Sequence, residues 1–378
     1  MKHSRFFVMG LALVSVSMSW AAENLASDRW DSFRGDPQLT GRATGVFPDQ
    51  PAPLWTLQDE DGFEATAAIV DEVVFIGSMG GRFRAVDLAT GSEKWQHESG
   101  SEIKSSALLH GDLVYYGDES GSLYALDRHS GELRWRFETA AGITSSPNRS
   151  GPCLLFGSYD NSLYCVDPTS GELRWQVETE GYVNATPGVW QEQAISAGCD
   201  GYLRIVQLQS GSEVGQVSLG GYVGASAAIE GDRAFVGNFE NQVLAIDLRL
   251  AEVIWIYDNP DSDFPFYSSA AVTEELVIVG GRDKTVHALD SMTGEARWTY
   301  PAGDRIDASP IIVGERVVVA TQGGRLLSLN LSTGSLVWSF ETGEAMTASP
   351  AIASGRLVIG SLDGTLFAFG DRSEVNQP

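Results

Sequence analysis

Hydrophobic residues in this chain fall in short runs divided by Gly, Asp and Ser. Residues 105–109 form one run, His110-Gly111-Asp112 interrupts it, and residues 113–116 form the next. A break at 118–121, a run at 123–126, a break at Ser130-Gly131 and a run at 133–137 complete the unit. Short β-branched and aromatic runs punctuated in this way predict strands joined by tight turns. The middle runs, such as 73–76 and 317–319, are apolar throughout rather than alternating, so both faces of those strands must be covered. No stretch carries a sustained helical period, and the chain is predicted to be all-β.

The unit repeats. Trp55, Trp95, Trp135, Trp175, Trp255, Trp298 and Trp338 stand 40 residues apart, with Gly215 in the one vacant slot and a three-residue insertion after Trp255. A small hydroxyl residue keeps the same period at Thr66, Ser106, Ser146, Thr186, Ser226, Ser269, Ser309 and Ser349. Asp recurs at 87, 127, 167, 247 and 290, and Gly follows four residues later in most units. A four-stranded unit this short cannot bury its own faces, but stacking it radially against two neighbours can. The last unit supplies three strands and no tryptophan, while residues 53–56 supply a strand with a tryptophan and no preceding three. Pairing them predicts an eight-bladed β-propeller with no open edge. The tryptophans read as inter-blade packing, the Asp and Gly columns as turn formers. The propeller is expected over 50–372, preceded by a leader at 22–49 and followed by a tail at 373–378.

Composition narrows the function classes. The formal net charge of −25 gives no basic surface for nucleic acid or anionic lipid. Lys2 and Arg5, the apolar run 6–18 and small residues near 21 read as a signal peptide over 1–21, so the mature protein is expected in the periplasm or secreted. No later run is long enough to span a membrane, and no cysteine follows the apolar run to take a lipid anchor. A monomer is expected. Cys153 and Cys165 fall on neighbouring strands of one hairpin, where buried free thiols or, in an oxidising compartment, a disulfide are both open. The histidines lack a second His at metal-ligand spacing. Residues 258–263 cluster oxygen donors, but without a later Glu they read as a solvated acidic loop rather than a calcium site.

Ala125-x-Asp127-x-x-Ser130-Gly131-x-x-x-Trp135 resembles the repeat of pyrroloquinoline-quinone-type propellers, and Trp30-x-x-Phe33-Arg34-Gly35 is similar to a leader common there. The resemblance covers roughly residues 50–370. One branch of that family holds quinone-dependent dehydrogenases, and it implies paired cysteines and a Glu, Asn and Asp set that this chain does not display. The other, the outer-membrane assembly factor BamB-like branch, implies a cofactor-free scaffold with a protein partner. The expectation is therefore a non-catalytic exported scaffold with no cofactor; the alternative is a quinoprotein-like oxidoreductase or small-ligand binder using the channel.

Two candidate surfaces follow from the blade geometry. Phe264, Pro265, Phe266 and Tyr267 sit in the one lengthened inter-blade loop, either exposed as a partner-binding loop or folded back over the channel mouth. Residues just ahead of each first strand, namely Glu64, Lys104, Thr144, Asn184, Gly224, Tyr267, Asp307 and Thr347, are expected to rim the channel on that same face.

Overall fold

The computed structural model describes residues 29–259 and 262–373. The signal-peptide segment at 1–21 and most of the tail lie outside the described residues. Within them, eight antiparallel sheets are arranged as blades, seven of four strands and one of five. In the first blade the strands are Ala68–Val70, Val73–Gly77, Arg82–Asp87 and Glu93–Glu98, running outward from the axis. The ring closes as Ala52–Gln58 pairs with Thr365–Gly370, so the chain's earliest long strand completes its last blade.

The burial pattern explains the two kinds of hydrophobic run. Second and third strands such as Val73–Gly77 and Ser122–Asp127 are covered on both faces by adjacent blades. Outer strands such as Leu133–Glu138 alternate between half-buried and exposed residues. Each blade shows a register shift where its third strand meets its fourth, as between Leu133 and Trp135. Such a bulge re-aims one side chain. Here it turns the tryptophan toward the following blade, where Trp95 Nε1 donates to Arg128 O at 3.0 Å and Trp175 Nε1 to Leu208 O at 2.7 Å. The ring lies against the Gly of the next blade's turn: a Cβ on Gly131 would come within 2.6 Å of Trp95, and its φ of 74° already favours glycine. Where Gly215 replaces the tryptophan, the facing turn position is Ala251, at φ 53°, with room for its methyl group.

The bulge also leaves one extra outer-strand residue, and in four blades it is a cation that pairs with the turn Asp. Lys94 meets Asp87 at 2.9 Å and Arg134 meets Asp127 at 2.7 Å; Arg174 with Asp167 and Arg297 with Asp290 repeat the pair. The Arg297 hydrogen bond and the turn amides of Thr293 and Met292 hold Asp290 down to about 2. A carboxylate depressed in the folded state stabilises fully above its unfolded value of 3.8, and that stabilisation fades as pH falls through about 2. The melting temperature is therefore expected to drop between pH 4 and 2. Arg297→Leu should make that drop shallower; an unchanged acid slope would remove the pair from the account.

Two further features bind the ring from within. Hydroxyls of the first-strand column link blade to blade: the Thr66 amide donates to Ser106 Oγ at 2.9 Å, Ser106 to Ser146 at 3.0 Å, and the series continues through Ser309 to Ser349 at 2.9 Å. Below them runs the leader. Trp30 exchanges backbone hydrogen bonds with Ile69, and the carbonyls of Asp31, Pro37, Gln38, Thr40 and Gly41 accept from Leu109, Val189, Ile229, Val272 and Ile312. Asn148 of the third blade donates to Pro37 O at 2.9 Å. The leader thus visits blades one to seven in order, and Arg42–Ala43 adds a parallel strand to the seventh. Arg34 is fully buried inside this hoop and donates to Ala270 O at 2.8 Å and Pro310 O at 2.6 Å.

Cys153 and Cys165 are joined in a disulfide, settling that choice against free thiols. Cys153 and Cys165 lie diagonally across the two strands, since Leu154 pairs with Val166 and Leu155 with Cys165. Diagonal neighbours remain within reach of each other's side chains.

Candidate functional site

The hoop crosses the channel at the end where first strands finish. The channel therefore opens as a blind cup on the opposite face, which carries the inter-blade loops and the second turn of each blade. The cup measures about 390 Å³ and is lined by Glu64, Lys104, Thr144, Asn184, Gly224, Tyr267, Asp307 and Thr347, together with Tyr159 and Arg282. Each rim residue ends an inter-blade loop just before the buried hydroxyl column begins, so the repeat itself delivers one side chain per blade.

Charges in the cup are unevenly satisfied. Lys104 is held by Glu102 at 3.2 Å and Glu119 at 3.3 Å. Arg282 grips Asp307 through two bonds, at 2.7 and 3.1 Å, and lies 4.5 Å from the centre of the Tyr267 ring. Tyr267 in turn covers Gly224, where a Cβ would come within 2.8 Å of its ring. Glu64 has no hydrogen-bond or ion-pair partner among the described residues, and burial pushes its carboxyl up against the pull of Lys104. The Oγ1 atoms of Thr144 and Thr347 are buried without a partner.

The lengthened loop does not present its four residues together. Phe264 is 57% exposed, but Phe266 is fully buried, correcting the expectation that it stands in the partner-binding loop. Its ring packs on Tyr257 and edge-on to His287, because the insertion lets the chain dip between two blades. Pro265 is half-buried, and Tyr267 belongs to the cup. His287 is itself taken up by Asp283 at 2.9 Å and Tyr257 at 3.2 Å. Of the oxygen-donor segment, Asn259 is buried and donates to Asp283 at 2.7 Å, while Asp261 lies outside the described residues. No cluster of three or more His, Cys, Asp or Glu among the described residues is placed to hold a metal ion.

Other aromatics share this face. Tyr182 is 53% exposed and Tyr222 66%, each two residues ahead of a rim position, where other blades place Gly62, Glu102 or Gly142. Phe239, also exposed, meets Tyr267 edge-on at 5.9 Å, and Tyr159 packs on Tyr182 at 5.0 Å. Tyr182 and Tyr222 stand 40 residues apart in one column of the repeat, so the period itself carries this signal.

Lys104 and Arg282, the cup's two cations, are already paired with carboxylates, so neither is free to receive the carboxylates of a quinone.

Comparison with known proteins agrees with the architecture. A family model described as outer membrane protein assembly factor BamB matches residues 119–201 and 199–377. No curated protein matches the chain in sequence. Among solved structures, BamB from Moraxella catarrhalis superposes with a TM-score of 0.72 at 20% identity, covering 85% of this chain and 98% of that one. The computationally designed Ika8 protein gives 0.73 at 18% identity, covering 84% of this chain and 99% of its own. The quinohemoprotein alcohol dehydrogenase from Comamonas testosteroni gives 0.76 at 13% identity, covering 91% of this chain and 81% of that enzyme. At such identities the structural likeness is one of fold, shared by binding proteins and enzymes alike. The sequence match extends over more than half of the chain, and with it the repeat columns, the ring closure and the blade count become one conclusion: the chain belongs to the pyrroloquinoline-quinone-type β-propeller family, in the group described by the assembly factor BamB.

Proposed function

We propose that this protein is a non-catalytic, exported interaction scaffold that binds a protein partner through the loop face of the propeller, in a role akin to the outer membrane protein assembly its family model describes. One observation carries the reading: Tyr182, Tyr222 and Phe264 stand more than half exposed on loops of one face. Large rings left in water cost free energy unless a partner covers them, and aromatic side chains are favoured anchors of protein interfaces. The rigid blades hold these loops in fixed relation, which lowers the ordering cost of association.

The test is partner capture. Tagged protein produced in its own host, cross-linked in the envelope, should recover a defined partner. Binding of that partner should weaken by about 2 kcal/mol or more when Tyr182, Tyr222 and Phe264 are all replaced by Ser, with the melting temperature preserved. Equal affinity of the variant and the parent would withdraw the loop face as the contact surface. Phe266 is left out of the set because its removal would open a cavity in the fold.

A further inference from the structure

The cup at the channel mouth has a chemistry of its own. It is closed below by the leader and walled on one side by Arg282 stacked against Tyr267. Its remaining polar groups are mostly acceptors or hydroxyls: the unpartnered Glu64 carboxylate, the buried Oγ1 atoms of Thr144 and Thr347, and the Tyr159 phenol. In blade order Asp307, Thr347 and Glu64 are consecutive; Arg282 occupies Asp307, which leaves Glu64 as the carboxylate of this arc without a bonded cation. Lys104 attracts Glu64 but is itself bonded to Glu102 and Glu119, so these four groups keep an excess of negative charge. The volume, about 390 Å³, lies in the range of small-ligand sites, roughly 300–1,000 Å³.

The charge on the surrounding loops has the same net sign. Asp61, Glu180, Glu240, Asp304 and Glu344 outnumber Lys284 and Arg305 on the turns around the mouth, and such an excess of one sign draws opposite charge toward a concave site. We propose that the cup is a binding site for an organic cation, an ammonium or guanidinium group received by Glu64 and Thr347. That group has two possible sources: a free small amine, or a Lys or Arg side chain of a docked protein, the second of which rests on the scaffold reading above. An aromatic wall at Tyr159 suits either, since a cation is attracted to a ring face.

Calorimetric titration with agmatine and, separately, with a tetra-arginine peptide tests the site on the mature protein. At least one probe should bind saturably at one site per chain. Glu64→Gln should weaken it about tenfold or more, the loss of one charge-assisted contact. Thr347→Val should weaken it less, and Glu60→Gln, a carboxylate 89% exposed on the same face, should leave it unchanged. Binding of agmatine assigns a free cation; binding of the peptide alone assigns a side-chain socket, and both uphold the site. Absence of saturable binding by either probe, or equal losses in Glu64→Gln and Glu60→Gln, overturns it. The agmatine titration involves no protein partner, so its outcome and that of partner capture stand apart.

Discussion

A chain shortened to begin at Asp59 is expected to lose its cooperative melting transition altogether. The deletion strips the outer strand Ala52–Gln58 from the last blade, with its pairing from Gly370 to Thr365. Trp55 goes with it, and so does its bond to Leu88 O at 2.8 Å across the junction to the first blade. The leader is lost as well, including the buried Trp30, Leu39 and Phe47. Fully burying a side chain of that size contributes about 1.5–3 kcal/mol, so the combined loss reaches the 5–15 kcal/mol that typically separates folded from unfolded domains. The exposed strand edge would also invite association between chains. Differential scanning calorimetry with light scattering reads both effects. A sharp transition within a few degrees of the parent would mean that the ring does not depend on this closure.

The second large effect is expected at a single residue. Arg34→Met should cost about 3–5 kcal/mol, because its guanidinium is the shared donor for carbonyls of the sixth and seventh blades and both would be left buried without a partner. Arg34→Lys should recover part of this, since both bonds come from the single nitrogen Nη2 and an ammonium carries enough N–H donors for two carbonyls. By contrast Arg297→Gln, at a pair exposed on the outer edge, should stay within about 1 kcal/mol of the parent. Denaturant unfolding measures all three. A cost for Arg34→Met no larger than that for Arg297→Gln would show that the hoop is only draped over the channel.

The contrast between those two arginines also marks what a reader of the sequence can and cannot see. Trp95 and Gly131 are legible because ring and turn repeat together, and a period makes packing visible. The exceptions are legible too once paired: Gly215 removes a ring, and Ala251 can then carry a methyl group in a left-handed turn. The Asp and Arg pair at 127 and 134 was present in the same columns but hidden, since only the bulge explains why a seven-residue offset brings them together. The rim could be drawn from register alone, whereas Phe266 could not be placed, because the insertion suspends the register exactly where that ring turns inward. Arg34 is the extreme case. Its side chain meets two carbonyls, and the rest of the leader bonds mainly through carbonyls of its own, which any residue possesses, so neither hydropathy nor spacing announces these contacts.

The leader's path also has a bearing on the order of assembly. Its acceptors meet donors on seven separate blades, and those donors come to face one another only when the blades already stand side by side. The segment synthesised ahead of every blade can therefore make its full set of bonds only once seven of them stand side by side, so its complete seating depends on parts of the chain made long after it.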